Sequence, residues 1–231
     1  MKKLIFLCVL FCLALQPALA EEALEGKTYT IMDAAGKVLT HFCGAPDVGD
    51  EYIAGDNRHF RITGVDNTRR PAQADTLGVY EMPDVSWLYQ DALPVASREK
   101  AVALYCTHSD ESYIKGDGTE SDEKRGGIYD IAASFADDLK ELGSEVALST
   151  ETHHPHDAGA YRRSRQTALS LLKQQPDAIF DLHRDGIPDP EEYTTTVGGK
   201  EMSKVRLLVG KSNQNKDANL GFAKKIKAVA D

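Results

Sequence analysis

Two hydrophobic patterns divide this chain. From residue 27 to residue 82, apolar and polar positions alternate in short runs. Thr28-Tyr29-Thr30-Ile31-Met32 alternates, Asp33-Ala34-Ala35-Gly36-Lys37 reads as a turn, and Val38-Leu39-Thr40-His41-Phe42 reads as the return strand. Glu51-Tyr52-Ile53 and Phe60 to Val65 follow, with Gly55-Asp56-Asn57 as turn residues between them. Leu77 to Tyr80 reads as a further strand. A side-chain period of two with Gly, Asp and Asn punctuation predicts a small β-rich unit over residues 21–82, a barrel or hairpin stack. Residues 83–100 read as a connector whose Trp87, Leu88 and Tyr89 tuck against a domain.

From residue 101 short apolar runs alternate with stretches of helical spacing. Val102-Ala103-Leu104-Tyr105 has the composition of a buried strand. Ile128, Ile131, Phe135, Leu139 and Leu142 recur at helical spacing up to Gly143, a stop signal. Val146-Ala147-Leu148 is the next strand. Residues 160–174 form a helix with Ala168, Leu171 and Leu172 on its apolar face and Pro176 beyond it. Ala178 to Asp181 is another strand. Tyr193 to Val197 and Val205 to Gly210 read as two more strands, with Gly198-Gly199 as a hairpin turn. A last helix carries Leu220, Ala223, Ile226 and Val229 on one side. Strand and helix in alternation predict an α/β fold, a mostly parallel sheet flanked by helices, over residues 101–231. The last helix runs to the end of the chain, so the closing strand such a sheet calls for would follow Asp231.

Composition sharpens this picture in three places. Lys2 and Lys3, the apolar stretch Leu4 to Leu15, and Ala18-Leu19-Ala20 before Glu21 make residues 1–20 a signal peptide. This predicts export to the cell envelope, in the periplasm or the wall. The net charge is −9, and it becomes more negative once Lys2 and Lys3 leave. An acidic exported chain is not built to hold nucleic acid or an anionic membrane by charge. Of four cysteines, Cys8 and Cys12 lie in the leader. Cys43 and Cys106 make no disulfide framework and read as two small buried thiols, although export would permit them to pair.

The candidate chemistry lies where two strands end. Val102 to Tyr105 runs into Cys106-Thr107-His108-Ser109-Asp110-Glu111-Ser112-Tyr113, and Ala178 to Asp181 runs into Leu182-His183-Arg184-Asp185. Open α/β sheets carry their sites just past the carboxyl ends of strands. A catalytic zinc takes three protein ligands and leaves one position open. His108, Glu111 and His183 supply suitable types, with Glu120 and Glu123 as alternative carboxylates. The competing reading makes both histidines ordinary loop residues. Asp185 is a candidate partner to orient His183. The segment from His156 to Arg165 opens a helix, where either anion recognition or a plain capped helix fits. His153, His154 and His156 share one loop, in which adventitious metal binding is the bland reading. His41 and His59 read as structural or solvated. No Gly-x-Ser-x-Gly elbow and no Gly-rich phosphate loop is present.

Three motifs in order, Thr107 to Tyr113, Ala160-Tyr161-Arg162-Arg163-Ser164-Arg165-Gln166-Thr167, and Phe180 to Asp185, resemble the stage II sporulation protein P family. That family is similar to zinc-dependent N-acetylmuramoyl-L-alanine amidases. The resemblance implies hydrolysis of the amide between the muramic lactyl group and the first stem-peptide residue, in some members with action on cross-link peptides. It implies Zn2+ as cofactor, with His108, Glu111 and His183 as its ligands. Tyr161, Arg165, Arg184 and Asp185 become the expected substrate-binding residues. Peptidoglycan and a membrane or wall-associated partner such as stage II sporulation protein D are the implied partners. Family members often carry His-Thr-His where this chain has Cys106-Thr107-His108. The resemblance also implies a general-base glutamate on the closing strand, beyond Asp231, so no catalytic base is identified within this chain. The alternative from another class is a non-catalytic wall-binding or scaffold protein that uses the same cleft.

Overall fold

The structure, a computed structural model, describes residues 27–86, 100–157, 159–187 and 189–230. The leader at 1–20 and the connector residues Trp87, Leu88 and Tyr89 lie outside them. The described residues form two compact units, one within residues 100–185, the other within residues 27–86 and 186–230. The stretch that reads in sequence as a single domain from 101 to 231 is therefore divided between Asp185 and Gly186.

The second unit is built on a five-stranded mixed sheet. Its strands are β1 (Thr28–Met32), β2 (Val38–Cys43), β3 (Glu51–Ile53), β4 (Arg58–Val65) and β5 (Pro71–Val79), in the order β2-β1-β5-β4-β3. β1 and β5 run parallel, and the other neighbours are antiparallel. β5 is longer than the Leu77–Tyr80 strand legible in the sequence. Its first half, Pro71-Ala72-Gln73-Ala74, buries only alanines, and alanine gives little strand signal. Ile31, Phe60, Ile62, Ala72 and Ala74 form the core, with Leu39, Phe42, Tyr52 and Val65 packed around them. His41 bonds Glu192 and His59 bonds Glu51, so both have the structural role expected of lone strand histidines.

The first unit holds β6 (Ala101–Tyr105), a single helical turn α1 (Ile114–Asp117), α2 (Ile128–Glu141), β7 (Glu145–Leu148), α3 (Ala160–Leu172) and β8 (Ala178–Asp181). The three strands form a parallel sheet in the order β7-β6-β8, with Leu104 level with both Leu148 and Phe180. β6 is central, and its Ala103 and Leu104 are fully buried, as its apolar run requires. α2 packs Ile128, Tyr129 and Ala132 against Cys106, with Leu148 and Leu182 alongside. α2 stops where expected, with Gly143 at φ 87° relieving the turn that ends it.

The remaining elements, β9 (Thr194–Val197), β10 (Lys200–Ser203) and α4 (Lys216–Ala230), belong to the second unit. β9 and β10 form a hairpin about Gly198 and Gly199, both at positive φ. The strand expected at Val205–Gly210 does not form. Val205 and Leu208 are exposed and the segment has no neighbouring strand. An apolar run becomes a strand only when a neighbour supplies the ladder. α4 lays Lys224 over the Tyr80 ring, 3.9 Å from its centroid. No helix among the described residues is long and apolar enough to cross a membrane.

Candidate metal centre

The site is built on the chain leaving β6. From Cys106 to Ser112 every residue is buried, although six of these seven are polar or charged and Cys106 is the only one that packs as core. The loop that precedes α2 closes over this segment through backbone pairing. Gly126 N–H donates to Ser109 O, Ile128 N–H to Glu111 O, Asp122 N–H to Asp110 O and Ser112 N–H to Glu120 O. Gly126 has to be glycine at this crossing, because a Cβ there would stand 2.1 Å from the Glu111 carbonyl oxygen. The polar loop expected at Lys115 to Gly127 is thus an ordered cover, with α1 inside it.

His108, Glu111 and His183 each turn one donor atom to a common point, all within 4.8 Å of one another. His108 and Glu111 come from the end of β6. His183 comes from the end of β8, the neighbouring strand. His183 Nδ1 lies 3.6 Å from Glu111 Oε1. Two ligands of a tetrahedral zinc, each at about 2.0–2.1 Å, stand roughly 3.3–3.4 Å apart, so this pair is close to the spacing of a shared ion. The alternatives Glu120 and Glu123 are exposed and stand outside the cluster.

Each donor is held by its other side. His183 Nε2 lies 3.1 Å from Asp181 Oδ2, which leaves Nδ1 toward Glu111. Asp181 is fixed in turn by the Thr107 amide at 2.8 Å and the Thr107 hydroxyl at 2.6 Å. A carboxylate behind a ring nitrogen is the usual way a histidine ligand is aimed. The sequence reading gave that place to Asp185. The structure gives it to Asp181, the last residue of β8, which Thr107 holds with Oδ2 3.1 Å from the ring of His183. Glu111 Oε2 accepts the Arg184 backbone N–H at 2.5 Å, which leaves Oε1 toward His183.

The electrostatics separate the two histidines. Burial pushes the His108 pKa down to about 3, helped by the neighbouring His156 and His183 rings. His108 is therefore neutral, the form that ligates. Burial opposes charge on His183 as well. Its hydrogen bonds to Asp181 and then Glu111 outweigh that and push its pKa up to about 10. A cationic ring between two carboxylates means that the site already attracts positive charge. The donor set of two imidazoles and one carboxylate, with this acidic surround, fits a zinc ion. The Cys106 thiol is pushed up to about 12, by burial first and by Asp181 and Glu111 after it. It is a packing residue, as expected at the strand end, and its thiol is in no disulfide.

The other expected residues fall into two groups. Tyr161, at the start of α3, sets its ring edge-on to His108 at 5.2 Å and tilted to His183 at 6.0 Å. Arg184 reaches the site through its backbone, while its guanidinium donates to the carbonyls of Asp185 and Glu120. Arg165 is exposed one turn along α3 from Tyr161 and stands outside the cluster. Asp185 lies beside Arg184 and is not one of the carboxylates at His183. The three loop histidines separate. His153 is buried and structural, bonded to Cys106 O and Thr167 Oγ1. His156 stacks on His108 with ring centroids 4.0 Å apart, while its Nδ1 lies 2.9 Å from Asp110 Oδ1. Sequence reasoning missed Asp181, Asp110 and His156 as parts of one site. Their only signal was a polar residue inside or beside each strand-end motif.

Fold and site together give an α/β protein whose adjacent strand ends bring three metal-competent donor atoms together. Residues 61–231 match the family described as Stage II sporulation protein P, and the chain belongs to that family. Stage II sporulation protein P of Bacillus subtilis (strain 168) is 26% identical over 143 residues, covering 55% of this chain and 35% of the relative. The chain thus spans about a third of that relative's length. No solved structure matches.

Proposed function

We propose that this chain is a zinc-dependent peptidoglycan hydrolase that cleaves the N-acetylmuramoyl-L-alanine amide, with cross-link peptides as a second substrate class. Membership of the sporulation family supports a cell-wall role. The observation that carries the chemistry is the convergence of His108, Glu111 and His183 donor atoms within 4.8 Å, two imidazoles and a carboxylate from two strand ends. A bound zinc would supply a Lewis acid for the amide carbonyl and lower the pKa of a water toward neutrality.

The chain's own residues do the rest. Asp181 keeps the His183 ring turned so that Nδ1 faces the centre, and the Arg184 amide keeps Glu111 presenting Oε1. Tyr161 forms an exposed aromatic wall beside both ligand rings, suited to the apolar part of a stem peptide or a sugar face. The Arg184 guanidinium is engaged with backbone carbonyls, so contact with a substrate carboxylate falls to exposed Arg165. In this reading residues 1–20 direct the chain to the envelope, where its substrate lies. Since that substrate is itself anionic, a net charge of −9 favours recognition by fitted contacts over long-range capture.

The test is digestion of purified muropeptides with the zinc-loaded chain, read by mass spectrometry. Release of free stem peptides with an L-alanine amino terminus is the expected result, lost in His183→Ala. Retention of muropeptides without any new amino terminus would replace this reading with a wall-binding module.

A further inference from the structure

We infer that Asp110 and His156 form a positioning pair that sets the plane of the His108 ring for metal binding. This inference rests on the metal reading of the site above. A single imidazole can swivel about its side-chain bonds. What limits that swivel is the set of rings around it. His156 covers one face, nearly parallel at 17° and 4.0 Å between centroids, while Tyr161 and His183 meet His108 edge-on.

His156 comes from an exposed loop and would be a poor clamp by itself. Its side chain is 39% exposed. It is fixed by Asp110, two residues past His108, whose Oδ1 lies 2.9 Å from His156 Nδ1. The other carboxylate oxygen of Asp110 accepts the Ser121 hydroxyl at 2.6 Å. Asp110 is itself only 9% exposed in its side chain. Burial raises the cost of its charge, yet the Ser121 and His156 contacts hold its pKa below the usual carboxylate value. One buried carboxylate thus ties the cover loop before α2 to the loop before α3, and it does so beside a metal ligand. An aspartate that served only to close the cover would need Ser121 and not His156.

The pair differs from Asp181, which acts through a ring nitrogen of His183. Asp110 acts on the face of His108 through a second ring. Partners outside the ligand set typically change metal affinity about 10- to 100-fold when removed. The test loads the full chain with Co2+, whose visible absorption reports ligand geometry, and measures affinity by chelator competition. Wild type, His156→Ala, Asp110→Asn and His156→Phe are compared, with thermal unfolding of the metal-free proteins as the control for folding. His156→Ala and Asp110→Asn are expected to weaken Co2+ binding about 10-fold or more and to alter its spectrum. His156→Phe, which keeps a flat ring over His108, is expected to recover part of both. If His156→Ala and Asp110→Asn match wild type in affinity and spectrum, the positioning pair is refuted while the metal site stands. If wild type takes up no Co2+, or if its binding survives His183→Ala, the metal reading itself falls and this inference falls with it. Should His156→Ala unfold, the near-isosteric Asp110→Asn decides by the same criteria.

Discussion

The two units solve the interior problem in opposite ways. In the five-stranded sheet the interior is apolar, made of Tyr29, Ile31, Phe60, Ile62 and alanines. Past the end of β6 the interior is largely polar. Among the described residues, all the buried polar or charged residues except Thr40 lie in the unit that carries the strand-end site. A buried polar group is costly unless it is hydrogen-bonded, and here partners are supplied. Thr107 bonds Ser164 and Asp181, Ser109 bonds Tyr129 and the His153 amide, Asp110 bonds Ser121, and Glu111 bonds the Arg184 amide. The apolar interior tolerates exchange of one shape for another. The polar interior fixes directions, which is what a site for a small cation needs.

Breaking each interior should therefore give a different signature. The largest loss is expected from Phe60→Ala, which empties the centre of the apolar sheet core and should cost about 3–5 kcal/mol. Urea unfolding should show that loss equally with and without added zinc. Gly126→Ala comes next. Its new Cβ would lie against the Glu111 backbone, so a cost of about 1–3 kcal/mol is expected. Unlike Phe60→Ala, it should also weaken metal retention, because relief of the clash moves Glu111. Asp181→Asn preserves shape but keeps one accepting oxygen, so it cannot serve the Thr107 amide at Oδ1 together with the Thr107 hydroxyl and His183 at Oδ2. Chelator competition should show zinc affinity lower by about 10- to 100-fold, with little change in the unfolding midpoint of the metal-free chain.

The smallest effect concerns acid. Arg61 holds the Glu51 carboxyl below its usual value of 4.5 by a hydrogen bond, burial opposes this, and His59 adds to the lowering. A depressed folded pKa gives stability that is present above the usual value and is lost as pH falls through the lowered one. Glu51→Gln should therefore remove a small stabilisation at neutral pH and flatten the acid limb below pH 4.5, so that variant and wild type converge at the lowest pH. Both side chains are exposed, so the shift will be slight.

The contrast also explains what could be read in the sequence. β1 and β4 were legible because each alternates around buried apolar side chains, β2 and β3 because turn residues bracket short apolar runs, and α2 because Ile128, Ile131 and Phe135 keep helical spacing up to Gly143. The first half of β5 was hidden by alanine. Val205 to Gly210 shows the reverse error, since apolar character cannot reveal whether a neighbouring strand exists. His108 and His183 could be paired because each follows a short apolar strand, and parallel neighbours bring such ends together. Asp181 was passed over for Asp185, because an aspartate at the end of a strand reads as part of the strand. His156 could not be separated from His153 and His154 in one loop. Only the fold shows that His153 turns inward to Cys106 and Thr167 while His156 turns to Asp110.

The central claim is that donors from two strand ends share one ion. The most direct measurement is the zinc content of the purified full-length chain after dialysis against trace metal, beside His183→Ala prepared identically. The account predicts stoichiometric zinc in wild type and almost none in the variant, with both proteins folded by circular dichroism. Equal zinc in the two, or none in either, would contradict it.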